Sequence, residues 1–284
     1  MVQPRLRSGR LLSPVGIVTA IVIIIGFATE VNGQTPQVER DVVYGYKHGM
    51  AMVYDVVRPQ ANPNGAGVIF VISGGFLSSR ENQEYVWPVA QPLLDAGFTI
   101  FQLRHPSTPV YLAPEIYEAV REGMADVLEN ASRFGVERDR IGVMGMSTGG
   151  LLALMLGSDH PASDLPSARD RPSAVVAYMP IVDIREFVGS SATPSLSFDP
   201  ALAPTLSPVD FVTPDDPPTL FIHGERDEIV PIAGNSYRMR ALLERARVAT
   251  DLLAVDAGHE LFTGEVKEAA DSATVSWFEE HLLP

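Results

Sequence analysis

With 284 residues, 46% of them hydrophobic and 20% charged, the chain has the composition of a globular protein able to bury one large core. Its 35 acidic residues against 21 basic ones give a formal charge of -14, which repels a phosphate backbone and excludes nucleic acid as a natural partner. The lack of cysteine excludes disulfides, a thiolate nucleophile, lipobox lipidation and any Cys-ligated zinc or iron-sulfur centre.

Arg5, Arg7 and Arg10 precede an apolar run from Val15 to Ala28 and then a polar stretch, the layout of an export signal. Residues 1–33 are therefore expected to be either a signal peptide, cleaved near Gly33, or a retained N-terminal membrane anchor, with the protein periplasmic or extracellular. Any membrane contact is expected to run through this segment alone. After a linker, β-branched and alternating segments on either side of Gly49 predict a hairpin. The run AGVIFVIS, Ala66 to Ser73, is continuously apolar between turn residues, as a strand buried on both faces is. Helices and apolar strands then alternate: helix 86–96, strand FTIFQLR, helix 114–134, strand RIGVMGM, helix 148–157, strand SAVVAYMP. That rhythm specifies a mostly parallel sheet with helices on its faces. Residues 183–217, rich in Ser, Thr, Pro and Asp, interrupt it and predict a small insertion or lid. Strand TLFIH, helix 233–247, strand DLLAV and a helix over 264–281 complete a single domain spanning 41–284.

The chemistry concentrates in Gly145-Met146-Ser147-Thr148-Gly149, a G-x-S-x-G set between an apolar strand and a helix-forming run. A sharp strand-to-helix turn presents a serine hydroxyl above the sheet, and small residues on either side let the backbone pass. A free hydroxyl is a weak nucleophile near neutral pH and needs a base within hydrogen-bond reach, itself oriented by a carboxylate. Asp227 follows the TLFIH strand and His259 follows DLLAV, so both fall on loops at the carboxyl edge of the sheet. Ser147, Asp227 and His259 are thus the expected nucleophile, acid and base, with Glu228 and Asp256 as rivals for the acid. Backbone N–H groups are expected to hold the developing oxyanion: Thr148 on one side, and Gly75 or Phe76 of the Ser73-Gly74-Gly75-Phe76 loop on the other. His223 reads as a structural hydrogen-bonder, and His105 and His160 as residues of Pro-flanked loops, with pocket lining the alternative for His105; the six histidines lack metal-ligand spacing, so no metal or other cofactor is expected.

Taken together, SGGF at Ser73, PEIYEAV at Pro114, RIGVMGMSTGG at Arg140, PPTLFIHGERDEIVP at Pro217 and DAGHE at Asp256 resemble the esterase and lipase branch of the α/β-hydrolases. Within that branch the pattern is close to the dienelactone-hydrolase and prolyl-oligopeptidase-like groups and to bacterial acetyl-xylan or feruloyl esterase-like proteins. The resemblance implies an eight-stranded α/β-hydrolase fold and hydrolysis of a small-molecule or carbohydrate ester, short-chain acyl groups foremost. An oligopeptidase-like serine peptidase and a non-catalytic binding protein on the same fold are the alternatives. Two departures stand out: Ser73 occupies the place where many relatives have the His of His-Gly-Gly-Gly, and the elbow carries Thr148 where GxSAGG is commoner.

Overall fold

The computed structural model describes residues 36–158, 170–189 and 194–284. The expected N-terminal signal or anchor, residues 1–33, lies outside these, as do His160 and part of the insertion. Among the described residues, eight strands form one sheet in the order β1-β2-β4-β3-β5-β6-β7-β8. They are β1 (Gln37–Lys47), β2 (Met50–Arg58), β3 (Gly67–Val71), β4 (Thr99–Leu103), β5 (Ile141–Met146), β6 (Val175–Tyr178), β7 (Thr219–Gly224) and β8 (Thr250–Val255). β1 and β2 form the expected hairpin, closed by His48 and Gly49, both at positive φ, the conformation that matches the right-handed twist of paired strands. β2 runs antiparallel to β4, and every later pairing is parallel.

Among the described residues, five helices cover the two faces: α1 (Arg80–Asp95), α2 (Ala113–Asn130), α3 (Thr148–Gly157), α4 (Ser236–Ala246) and α5 (Gly264–Leu282). One core joins the sheet to α1 and α5 through Leu93, Leu94, Phe278 and Leu282. The other joins it to α2, α3 and α4 through Ile116, Val120, Leu152, Met239 and Leu243. The fully buried GVIFV of β3 and IGVMGM of β5 follow from this double cover, since neither face of the central strands meets water. α2 stops earlier than the periodicity predicts: Ala131–Phe134 tighten into a 3-10 turn that Gly135 ends with φ +74°. α4 begins later than expected, because Ile232–Gly234 form a separate 3-10 turn before it. The described part of the insertion consists of short 3-10 turns, and its Leu196, Phe198, Ala203 and Leu206 pack into the α2–α4 core, while Leu202 is exposed.

The strand order reverses between β3 and β5: the chain builds outward from β3 to one side, then from β5 to the other. The loops leaving those two strands at their carboxyl ends diverge and open a crevice there. The start of α1, into which the first of these loops runs, is held by Asp55 on β2, whose carboxylate is wholly buried. It accepts from Asp41 N (2.9 Å), Gln83 Nε2 (2.9 Å), Arg80 Nη1 (3.0 Å) and Arg104 Nη2 (3.2 Å), which ties β2 and β4 to the start of α1. Burial alone would raise the Asp55 pKa, but these donors outweigh it and hold the carboxyl below its usual 3.8. A group with a depressed folded pKa stabilises the protein above its unfolded pKa and loses that contribution as pH falls through the folded one. Asp55→Asn is therefore expected to lower the unfolding free energy by about 3 kcal/mol at pH 7. In urea titrations the gap to the parent protein should narrow below pH 3.8; equal midpoints at pH 7 would show that the network contributes nothing.

Candidate active site

β5 passes into α3 through one residue, Ser147, at φ 54° and ψ -118°. So abrupt a turn brings the first turn of the helix against its own strand. A Cβ on Gly145 would lie 2.1 Å from the Gly149 carbonyl oxygen, and one on Gly149 would lie 2.7 Å from that of Val71, so neither position has room for a side chain. Ser147 N donates to Tyr178 O at 2.9 Å, and the hydroxyl stands over the crevice.

The loops after β7 and β8 bring Asp227 and His259 to it. His259 Nδ1 lies 2.6 Å from Asp227 Oδ2, and Nε2 lies 2.9 Å from Ser147 Oγ. A carboxylate can only accept, so Nδ1 carries the ring proton and Nε2 presents its lone pair to the serine hydroxyl. Asp227 is wholly buried, and its other oxygen accepts from Ile229 N (3.0 Å) and Val230 N (2.7 Å). The rival acids are elsewhere: Glu228 is exposed, and Asp256 pairs with Arg226 in solvent.

Behind Asp227 stands His223, also wholly buried. Its Nε2 is 2.8 Å from the Val230 carbonyl, which fixes a proton there, and 3.2 Å from Asp227 Oδ2. Nδ1 then accepts from the Ser236 hydroxyl at 2.7 Å. Burial keeps the ring pKa below its ordinary value, so His223 stays neutral and gives the Asp227 carboxylate one more donor. Its place is that of a structural hydrogen-bonder, two groups removed from the hydroxyl.

Of the expected oxyanion donors, Thr148 supplies the first N–H of α3 and sits buried beside the elbow. Gly75 lines the crevice, with no hydrogen bond on its N–H. Phe76 departs from the expectation: its N–H donates to Thr148 Oγ1 at 3.2 Å and its side chain is buried in the core, so that N–H is already committed. The crevice encloses about 260 Å³. Ile72, Val86, Met146, Met179 and Leu261 make its apolar walls, and Ser73, Asn82, Tyr85 and Glu260 its polar ones. No described residue of the insertion takes part. Asn82, Tyr85 and Val86 come from the first turns of α1, just past the 73–76 loop, and nothing in their local pattern marks them as lining residues.

His105 does not line this crevice. It borders a second cavity, also about 260 Å³, on the far side of the Ser78 loop, with Lys47, Arg104 and Tyr111. Its Nδ1–H donates to Pro106 O (2.8 Å), while Nε2 is buried without a partner. Burial accordingly pushes its pKa down to about 4 from 6.5. The unfolded chain binds this proton near pH 6.5 and the folded chain only near 4, so stability is complete above 6.5 and falls as pH drops between those values. His105 alone is expected to cost about 3 kcal/mol across that window. Urea midpoints from pH 7 to 4.5 should decline more steeply for the parent than for His105→Gln; parallel curves would mean that the ring is protonated in the fold.

Comparisons with known proteins point the same way as this geometry. The BD-FAE family model matches residues 54–243. The chain is similar to esterase LipQ of Mycobacterium tuberculosis, 25% identical over 228 residues that cover 74% of this chain and 53% of LipQ. It is similar also to esterase LipC of the same organism, 28% identical over 233 residues that cover 74% of this chain and 55% of LipC. The chain thus spans about half the length of these curated relatives. Among solved structures, a truncated carbohydrate esterase from gut microbiota superposes with a TM-score of 0.70 at 20% identity, covering 86% of this chain and 96% of that one. An acetyl ester-xyloside bifunctional hydrolase from Caldicellulosiruptor lactoaceticus superposes with a TM-score of 0.70 at 23% identity, covering 87% and 98%. At these identities the superpositions show a shared fold, the α/β-hydrolase sheet and its flanking helices.

Proposed function

The chain belongs to the BD-FAE family, and from that premise we propose that it hydrolyses carboxylic esters through an acyl-enzyme on Ser147. The observation that carries this reading is the unbroken relay from Ser147 Oγ through His259 to the buried Asp227, at 2.9 and 2.6 Å. His259 Nε2 takes the Ser147 proton as Oγ attacks the ester carbonyl. Asp227 steadies the imidazolium so formed. The tetrahedral oxyanion is met by the N–H groups of Thr148 and Gly75, which need no reorganisation to receive it. His259 then protonates the departing alkoxide, and afterwards deprotonates the water that releases the acyl group.

The size of the crevice supports a short acyl group, since about 260 Å³ with apolar walls lies below the usual range for drug-sized ligands. Asn82, Tyr85 and Glu260 at its edge suit an alcohol rich in hydroxyls, and the carbohydrate esterase and acetyl ester-xyloside hydrolase among the fold neighbours agree with a sugar ester. Glu260 disfavours anionic substrates. The Arg-rich, apolar, then polar order of residues 1–33 supports export, with the segment either cleaved or kept as an anchor. N-terminal sequencing of the protein recovered from its producing cells distinguishes the two.

The test is hydrolysis of p-nitrophenyl esters from acetate to octanoate by the full chain and by Ser147→Ala. We expect kcat/KM to be highest for acetate or butyrate and to fall toward octanoate, with kcat at least about 10⁴-fold lower in the variant. Undiminished turnover in Ser147→Ala, or a preference for octanoate, would overturn the mechanism or the acyl-length reading respectively.

A further inference from the structure

Two residues depart from the commoner pattern of these hydrolases, Ser73 and Thr148, and the structure places their side chains against each other. Ser73 Oγ and Thr148 Oγ1 are 3.0 Å apart, and Thr148 Oγ1 also accepts from Phe76 N at 3.2 Å. The three groups come from both sides of the crevice: Ser73 and Phe76 from the loop after β3, Thr148 from the first turn of α3.

That loop is held in an unfavourable shape. Gly75 and Phe76 follow one another at φ +58° and φ +63°, and a side chain as large as Phe rarely adopts such a conformation unless its surroundings impose it. Both backbone groups of Phe76 are tied: its N–H to Thr148 Oγ1, and its carbonyl to Thr108 N at 3.2 Å. The Phe76 ring is buried and Thr148 is nearly so, so without the threonine hydroxyl this N–H would have no partner, neither protein nor bulk water. Gly149 brings the two sides close enough for the contact, because a Cβ there would stand 3.3 Å from Ser73 O.

We propose that the Thr148 hydroxyl, paired with Ser73, is a positioning element that clamps the loop after β3 to the nucleophile helix and so aims the Gly75 N–H at the oxyanion. Thr148 thereby acts twice, through its backbone N–H as a donor and through its side chain as the anchor that places the opposing donor. The anchoring stands on geometry alone, whereas its catalytic consequence rests on the ester-hydrolase reading. Removal of a single oxyanion donor lowers kcat by 10² to 10³ in a well-studied hydrolase, so a donor displaced but still present should lower it by less, about tenfold.

Two measurements on the full chain test this. In p-nitrophenyl acetate hydrolysis, Thr148→Ala should lower kcat about tenfold with KM within about twofold, and Thr148→Ser, which keeps the hydroxyl, should stay within about twofold of the parent in both. Ser73→Ala should cost less, and Ser73→Ala/Thr148→Ala should be no slower than Thr148→Ala, because the two hydroxyls act as one unit. Independently of activity, hydrogen exchange at the Phe76 amide should quicken at least about tenfold in Thr148→Ala and remain at the parental rate in Thr148→Ser. Unchanged exchange in Thr148→Ala, or equal kcat losses in the Ala and Ser variants, would overturn the proposal. Quickened exchange in a protein whose parent form turns over no ester would keep the anchor and overturn the hydrolase reading instead.

Discussion

One residue carries the chain from β5 into α3, and most of the site depends on how little room that leaves. Ser147 takes a backbone conformation with φ of 54°, and Gly145 and Gly149 are bare because the strand and the helix nearly touch. α3 is buried along its whole length, packed against the central strands β5 and β6 with Leu151, Leu152 and Leu154 in the core. That packing resists relaxation of the strained turn and keeps the hydroxyl at a fixed height above the sheet. It also sets the first N–H of the helix, that of Thr148, directly beside the serine.

Around this turn the fold arranges charge that was desolvated during folding. Asp227 is buried, and backbone N–H groups of Ile229 and Val230, the neutral ring of His223 and the Nδ1–H of His259 all point at it. Such a carboxylate orients the imidazole at no further cost when a substrate arrives. Parallel strands explain why groups so distant in sequence meet: β5, β7 and β8 end at the same edge, and the reversal between β3 and β5 opens a gap just where Ser147 stands.

Much of this was legible in the sequence. Continuous apolar runs marked the parallel strands because strands covered on both faces have no polar side, and G-x-S-x-G between a strand and a helix has few geometric solutions. The order of Asp227 and His259 after successive strands placed them on one edge, which follows from parallel topology alone. Other features depended on torsion angles or distant packing that no local pattern encodes. Gly75 and Phe76 looked equivalent as oxyanion donors, and only the direction of the Phe76 N–H, set by Thr148 on another element, separates them. His105 sits only two residues past β4, yet the turn there faces it away from the crevice. Leu196 and Phe198 of the insertion joined the core because their apolar area found the α2–α4 layer, leaving the crevice to be walled by α1 and by the loops around Met179 and Leu261.

The strained turn, the imidazole and the buried carboxylate together should make Ser147 more nucleophilic than every other serine in the chain. Peptide mapping by mass spectrometry after brief exposure of the full chain to a fluorophosphonate tests it without assuming any substrate. A single adduct is expected, on the peptide bearing Ser147, forming at least about 10²-fold more slowly in His259→Ala. No adduct at Ser147, or a rate indifferent to His259, would show that this arrangement does not activate the serine.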